Sequence, residues 1–355
     1  MVETLNRIEN LGVLTIMDLD DYWSPGKHHP AYLIIKNSGI DKKILNNIKI
    51  SRNVITTTPL FKKEISKYNK NTYVIPNSID PNEAQFKPNA EESNRVRIGW
   101  LGGSSHLKDL ELLKGLVGKI KSDKLIDKVQ FVLCGFDTRG TITRINEKTG
   151  QQTQTPIKPH ESVWFKYENI FTDSYNIISE EYKKYLLTFN KEEYHDIQNE
   201  AYRRVWTKPI NTYASNYNLF DVSLAPLEEN IFNKVKSQLK VIEAGFHKKA
   251  IIAQDFGPYQ LDLINYYDKP KSKRGQITIN EKGNALLVPS SKNHKDWYRN
   301  VKKLITNPEL ITELSENLHN TVKDTYNINN VSKTRRDLYV KLLEEHKVKN
   351  KSLVK

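Results

Sequence analysis

Short β-rich runs alternate with longer helical stretches along most of the chain. In the first 80 residues the strand-like runs are 14–18, 54–58 and 73–76, and the helical ones are 31–48 and 60–68. Apolar, β-branched runs separated by helical stretches predict βαβ units and a parallel sheet. The segment Pro76-Asn-Ser-Ile-Asp-Pro81 breaks the rhythm, and the polar stretch to Asn94 reads as an interdomain linker. A second unit follows, with a strand over 95–101, a Gly102-Gly-Ser-Ser105 turn, a helix over 109–120 and a strand over 129–134. Further strands are predicted at 219–225, 250–253 and 285–288, with a helix over 233–246 between the first two and helices from Trp297 onward. Between Asp137 and Trp206 the pattern is interrupted by a stretch rich in Thr, Gln, Tyr and Glu, with a hairpin around Lys148-Thr-Gly150. That segment, about 138–206, reads as an insertion, either an acceptor lid or a decoration.

A length of 355 residues favours two domains, each able to bury a core. The clean apolar runs, such as Leu11-Gly-Val-Leu-Thr-Ile-Met17, fall far short of the ~20 residues that span a bilayer. The start of the chain does not read as a secretory signal, and the lone Cys134 excludes an intrachain disulfide, so a cytoplasmic protein is expected. Lys and Arg outnumber Asp and Glu by 55 to 42, a net charge of +13, which favours anionic ligands: nucleotides, nucleic acid or acidic membrane surfaces. Residues 333–355 carry eight Lys or Arg and three Asp or Glu, a solvated basic tail that would also suit peripheral contact with the inner face of a membrane.

The chemistry concentrates in 232–246. On a helix, Val235, Leu239, Ile242 and Phe246 form an apolar stripe, while Lys236, Lys240 and Glu243 share a second face. A helix starting at Asn233 would point unpaired amides at an anion, with Lys236 in its first turn beside a diphosphate or simply exposed. Glu243 would accept from vicinal hydroxyls such as those of a ribose, or pair with Lys240. The Gly102-Gly103-Ser104 turn would let backbone amides approach a phosphate, or be a plain turn, and His106 would donate to that phosphate or cap the turn. Asp18-Leu-Asp20-Asp21 has the D-x-D form of some metal sites, but its place favours a strand end holding acceptor hydroxyls. His28 and His29 follow in a polar turn, as acceptor contacts, a base if the reaction inverts, or surface residues.

Together, Asp221-Val-Ser-Leu-Ala-Pro-Leu227, Lys236-Ser-x-Leu-Lys-x-x-Glu243-Ala, 250–257 and Gly283-Asn-Ala-Leu-Leu-Val288 resemble the nucleotide-binding half of GT-B glycosyltransferases of the family 4 (group 1) type. Val54-Ile-Thr-Thr-Thr58 and Val74-Ile-Pro-Asn-Ser-Ile-Asp80 resemble the end of that family's first domain. The resemblance implies an α/β chain of two Rossmann-like domains: an incomplete acceptor-side domain over 1–90 and a donor-binding domain over 91–330. A C-terminal helix, 331–343, would return to the first domain. It further implies that Lys236 neutralises the diphosphate of a nucleotide-sugar donor and that Glu243 holds its ribose. Gly102, Gly103, Ser104, His106, Asn233, Ser237, Lys240, Gly257 and Pro258 would complete the donor site, with Asp20, Asp21, His28 and His29 on the acceptor side. No metal or cofactor is implied, and the leaving phosphate itself would draw the acceptor's proton, with retention of configuration.

Two departures stand out. The family commonly has another Glu eight positions before the ribose glutamate, where this chain has Val235; Glu228 and Glu229 are nearby substitutes. About a hundred residues usually precede the strand at 14–18, which implies a second chain completing the domain, an internal start or a reduced domain. The leading expectation is sugar transfer to a glycan or lipid-linked acceptor. Its rivals are a non-catalytic nucleotide-sugar-binding subunit and, from the charge, a glycosyltransferase directed at nucleic acid.

Overall fold

The computed structural model of the chain describes residues 2–89, 91–146, 149–268, 278–289 and 294–353. Strands β1 (Ile16–Leu19), β2 (Asn53–Thr56) and β3 (Thr72–Val74) form a parallel sheet in that order. The central β2 is buried at all four positions, so its sequence is a continuous run rather than an alternating one. Thr58 then caps the helix Pro59–Ile65, its side chain accepting from the Phe61 amide, and Pro59 supplies a preset φ at the first helical position. The long helix Ile328–Leu353 returns to this sheet as expected: Val331 packs with Ile55 and Ile75, and Arg335 pairs with Asp18 at 3.1 Å. Val354 and Lys355 of the basic tail lie outside the described residues.

The second sheet has six parallel strands: β4 (Val96–Leu101), β5 (Val129–Phe136), β8 (Tyr202–Trp206), β9 (Val222–Ala225), β10 (Ala250–Gln254) and β11 (Leu286–Val288). Their spatial order is β11-β10-β9-β4-β5-β8, the doubly wound order in which the chain reverses direction between β4 and β9. Edge strand β8 arises inside the segment that reads as an insertion. The helix Val163–Thr172 is the crossover that leads to it, burying Trp164, Tyr167 and Phe171 against the core around β5. Two arginines disguise β8 in the sequence. Arg204 is almost fully buried because Glu168 meets it with two contacts of 2.6 Å, and the same carboxylate accepts from Tyr175 and Tyr202. A buried charge of this kind is tolerated only when so fully paired. Only the antiparallel hairpin β6 (Thr141–Ile145) and β7 (Gln152–Pro156) forms a sheet of its own there; Lys148 at its tip lies outside the described residues.

Three expected helices are broken. The stretch over 31–48 divides into Tyr32–Asn37 and Ile40–Ile50 at Gly39, whose φ is 60°. The one over 109–120 divides into Leu107–Glu111 and Leu116–Ser122 at Gly115, whose φ of 95° suits glycine and whose missing Cβ leaves room for the His294 ring. The one over 233–246 divides into Ile231–Lys234 and Leu239–Phe246. Here Val235 turns away from its own domain and is 1% exposed among Trp23, Ile48, Val54, Phe61 and Ile65 of the first. Lys236 therefore stands on the connection between two helices, not in a first turn. The linker is also held. Ile79 is buried in the second domain's core, and its amide and carbonyl bond Tyr326 and Ile328, so the two chain crossings run side by side. Among the described residues no helix is long and apolar enough to cross a membrane.

Candidate functional site

A cavity of about 580 Å³ opens at the C-terminal ends of β4, β5, β9 and β10, beside the reversal in strand order where open α/β sheets bind ligands. Leu101, Gly102, Gly103 and His106 line it after β4, and Pro258 and Tyr259 after β10. Lys236, Ser237, Lys240 and Glu243 form another wall, and Asp21 reaches in from the first domain. A Cβ on Gly102 would fall 2.5 Å from the Trp100 ring, so only glycine allows the chain to turn there.

Glu243 is 4% exposed, and the hydroxyls of Tyr213 and Tyr217 both donate to its carboxylate, Tyr217 at 3.0 Å. Burial raises its carboxyl above the ordinary range, against the pull of those donors and of Lys240. Lys240 makes no ion pair with Glu243. Its ammonium donates to the Leu101 carbonyl and lies 5.0 Å from the Trp100 ring centre, and burial holds it down to about 8. Lys236 sits over the Phe232 ring at 4.8 Å, also lowered by burial, and among the described residues no carboxylate reaches ion-pair distance. Between the lysines the helix Leu239–Phe246 begins with Gln238, whose side chain caps nothing and donates instead to Asp262 and Tyr326. The Leu239 and Lys240 amides of its first turn have no backbone acceptor among the described residues, while that of Val241 bonds the Gln238 carbonyl. The helix start expected at Asn233 lies six residues later, at Leu239.

Asp109 joins the walls. It receives the His106 ring at 2.7 Å, the Glu228 amide at 2.7 Å and the Asn233 side chain at 3.0 Å, tying the turn after β4 to the loop after β9. Burial keeps the His106 ring below the usual histidine range.

A second cavity of about 660 Å³ shares Lys236 with the first. Ser104 and Asn233, expected with the donor, line this one, as do His28 and His29, the hairpin residues Thr141 and Ile157, and Trp164. His29 accepts the Ala31 amide at Nδ1, which places its proton on Nε2, and its ring packs on Phe232. Gly257 lines neither cavity. Its φ of 59° folds it against the Lys234 backbone, behind Pro258. Asp20 is exposed and lines neither cavity, its carboxyl raised by partial desolvation and then by Asp21. Asp109, Tyr213, Asn216 and Tyr217 were not legible as site residues, because each joins the site through contacts between distant segments; the β9 run gives no sign of the tyrosines that precede it.

No protein-family model matches the sequence, and no curated protein does. Solved structures do match its shape. Sucrose-phosphate synthase from Thermosynechococcus elongatus aligns with 96% of this chain and 71% of its own at 13% identity, TM-score 0.59. The fold is GT-B. Anabaena HepE, solved with UDP and glucose, aligns with 92% of this chain and 71% of its own at 10% identity, TM-score 0.57. The catalytic domain of starch synthase IV from Arabidopsis thaliana, bound to ADP and acarbose, covers 85% and 58% at 13% identity, TM-score 0.51. In this chain both cavities are lined from both domains, Asp21 reaching the first and His28 and His29 the second.

Proposed function

We propose that this chain is a glycosyltransferase that binds a nucleoside-diphosphate sugar in the first cavity and passes the sugar to a hydroxyl of a carbohydrate held in the second. The observation that carries this reading is the convergence of Lys236, Lys240 and Glu243 on one cavity, with an uncapped helix start between them. The ammonium groups and helix amides meet the charge that grows on the departing diphosphate as the glycosidic bond breaks, the kind of preorganised electrostatics that dominates many enzymes. Glu243, held by two tyrosine hydroxyls, keeps its remaining acceptor capacity for ribose hydroxyls. His29 presents Nε2–H, so it positions a sugar oxygen as a donor rather than acting as a base. The acceptor's proton then goes to the leaving phosphate, and anomeric configuration is retained.

The second cavity suits a saccharide: serine and threonine hydroxyls at Ser104, Ser105 and Thr141, and carboxylates at Asp137 and Glu161. The ligands in the HepE and starch synthase structures, nucleoside diphosphates and sugars, belong to the same chemical classes. Incubation with UDP-, GDP- and ADP-sugars and an oligosaccharide panel, reading diphosphate release and product by mass spectrometry, is expected to give transfer that falls at least about tenfold in Lys236→Ala. Val235 favours a second reading, since it fills an apolar core where the family commonly has a carboxylate. Donor binding with neither transfer nor hydrolysis would select that reading, a nucleotide-sugar-binding protein.

A further inference from the structure

We infer that Asn216 reads the base of the bound nucleotide and sets the base preference of this chain; the inference deepens the donor-site reading and rests on it. Asn216 lies on the short 3₁₀ helix Tyr213–Leu219, the element that also supplies both tyrosines bound to Glu243. Three residues per turn place Asn216 over Tyr213, one step along the cavity from the carboxylate that faces the ribose. Its side chain is 0% exposed, yet it lines the first cavity with Gly135, Thr207, Lys208 and Ile210. Neither Nδ2 nor Oδ1 has a hydrogen-bond partner among the described residues.

A buried carboxamide with both ends unpaired costs the free protein stability, and buried polar groups are rarely left so. Its donor and acceptor stand side by side, the complement of the hydrogen-bonding edge of a nucleobase. Tyr213 and Ile210 line the same cavity, apolar surface that a base ring can pack against. The Lys208 ammonium, bonded to Ser215 at 3.0 Å, puts positive charge at this end of the cavity. That charge favours a base with a carbonyl oxygen at C4 of a pyrimidine or C6 of a purine over one with an amino group there. The base is therefore one with a ring N–H beside a carbonyl, uracil or guanine, rather than cytosine or adenine.

Calorimetric titration of the full chain with UDP, GDP, CDP and ADP, repeated on Asn216→Ala and Asn216→Leu, tests this. The wild type is expected to prefer UDP or GDP over CDP and ADP by about tenfold or more, the UDP and GDP arms telling the two bases apart, and both variants to bring all four within about threefold. Asn216→Leu is also expected to keep or raise the melting temperature of the free protein, because it removes unpaired polar atoms from a buried place; a packing role for the amide would lower it. Equal affinities in the wild type, a preference for CDP or ADP, or a preference unchanged in both variants overturns the inference and leaves the donor site standing. No binding of any of the four by the wild type overturns the donor-site reading itself, and the inference with it.

Discussion

Two buried lysines, Lys240 in the first cavity and Lys249 outside both, give the protein an unusual response to pH. Burial holds both Lys240 and Lys249 down to about 8, against an ordinary 10.5. Between those values the unfolded chain keeps protons that the native chain has shed, so these groups make the free protein more stable as pH rises through that window. Binding runs the other way. A diphosphate that needs the Lys240 ammonium loses affinity as pH climbs past about 8. Paired thermal melts with and without nucleotide from pH 7 to 10 should therefore converge, and a ligand-induced shift independent of pH would remove Lys240 from the site. The residue types at 236, 240 and 243 were legible in the sequence because an unbroken helix would place them on one face, although Lys236 reaches the cavity from the connection instead. Their environment was not, since Tyr213, Tyr217 and the Leu101 carbonyl reach them from other segments.

At the scale of elements, Val235 decides how the site is built. Drawing it into the first domain's core breaks the helix, puts Lys236 on the connection and starts a new helix at Leu239. Val235→Ala removes two buried methyl groups and is expected to cost about 1–3 kcal/mol. Val235→Asp would bury an unpaired charge and cost about 3 kcal/mol or more by chemical denaturation, unless the connection detaches from the first domain. An unchanged denaturation midpoint in both variants would show that Val235 is not packed as described. The strand and helix rhythm in the sequence carried the parallel sheets, but an edge strand with two arginines, β8, could not be told from an insertion until Glu168 was seen to neutralise one of them. Likewise the break at Val235 was hidden, because a valine at that spacing also completes an apolar helical stripe.

For the whole molecule, the two domains share more than a hinge. Ile79 pairs with the residues flanking the second crossing, Val235 enters the first core, and the helix Ile328–Leu353 covers the first sheet. Domains so interlocked are expected to melt as one unit, giving a single calorimetric transition that Val235→Asp splits in two. Two transitions in the wild type would mean that these contacts do not couple the domains. The central claim, however, is that the cleft is a donor site. Thermal stabilisation of the full chain by UDP, GDP and ADP, compared with Glu243→Gln, tests it most directly, because a ligand bound only to the native state raises stability by mass action. The account predicts a selective upward shift with at least one nucleotide and its near loss in the variant; no shift with any of the three, or the same shift in Glu243→Gln, would contradict it.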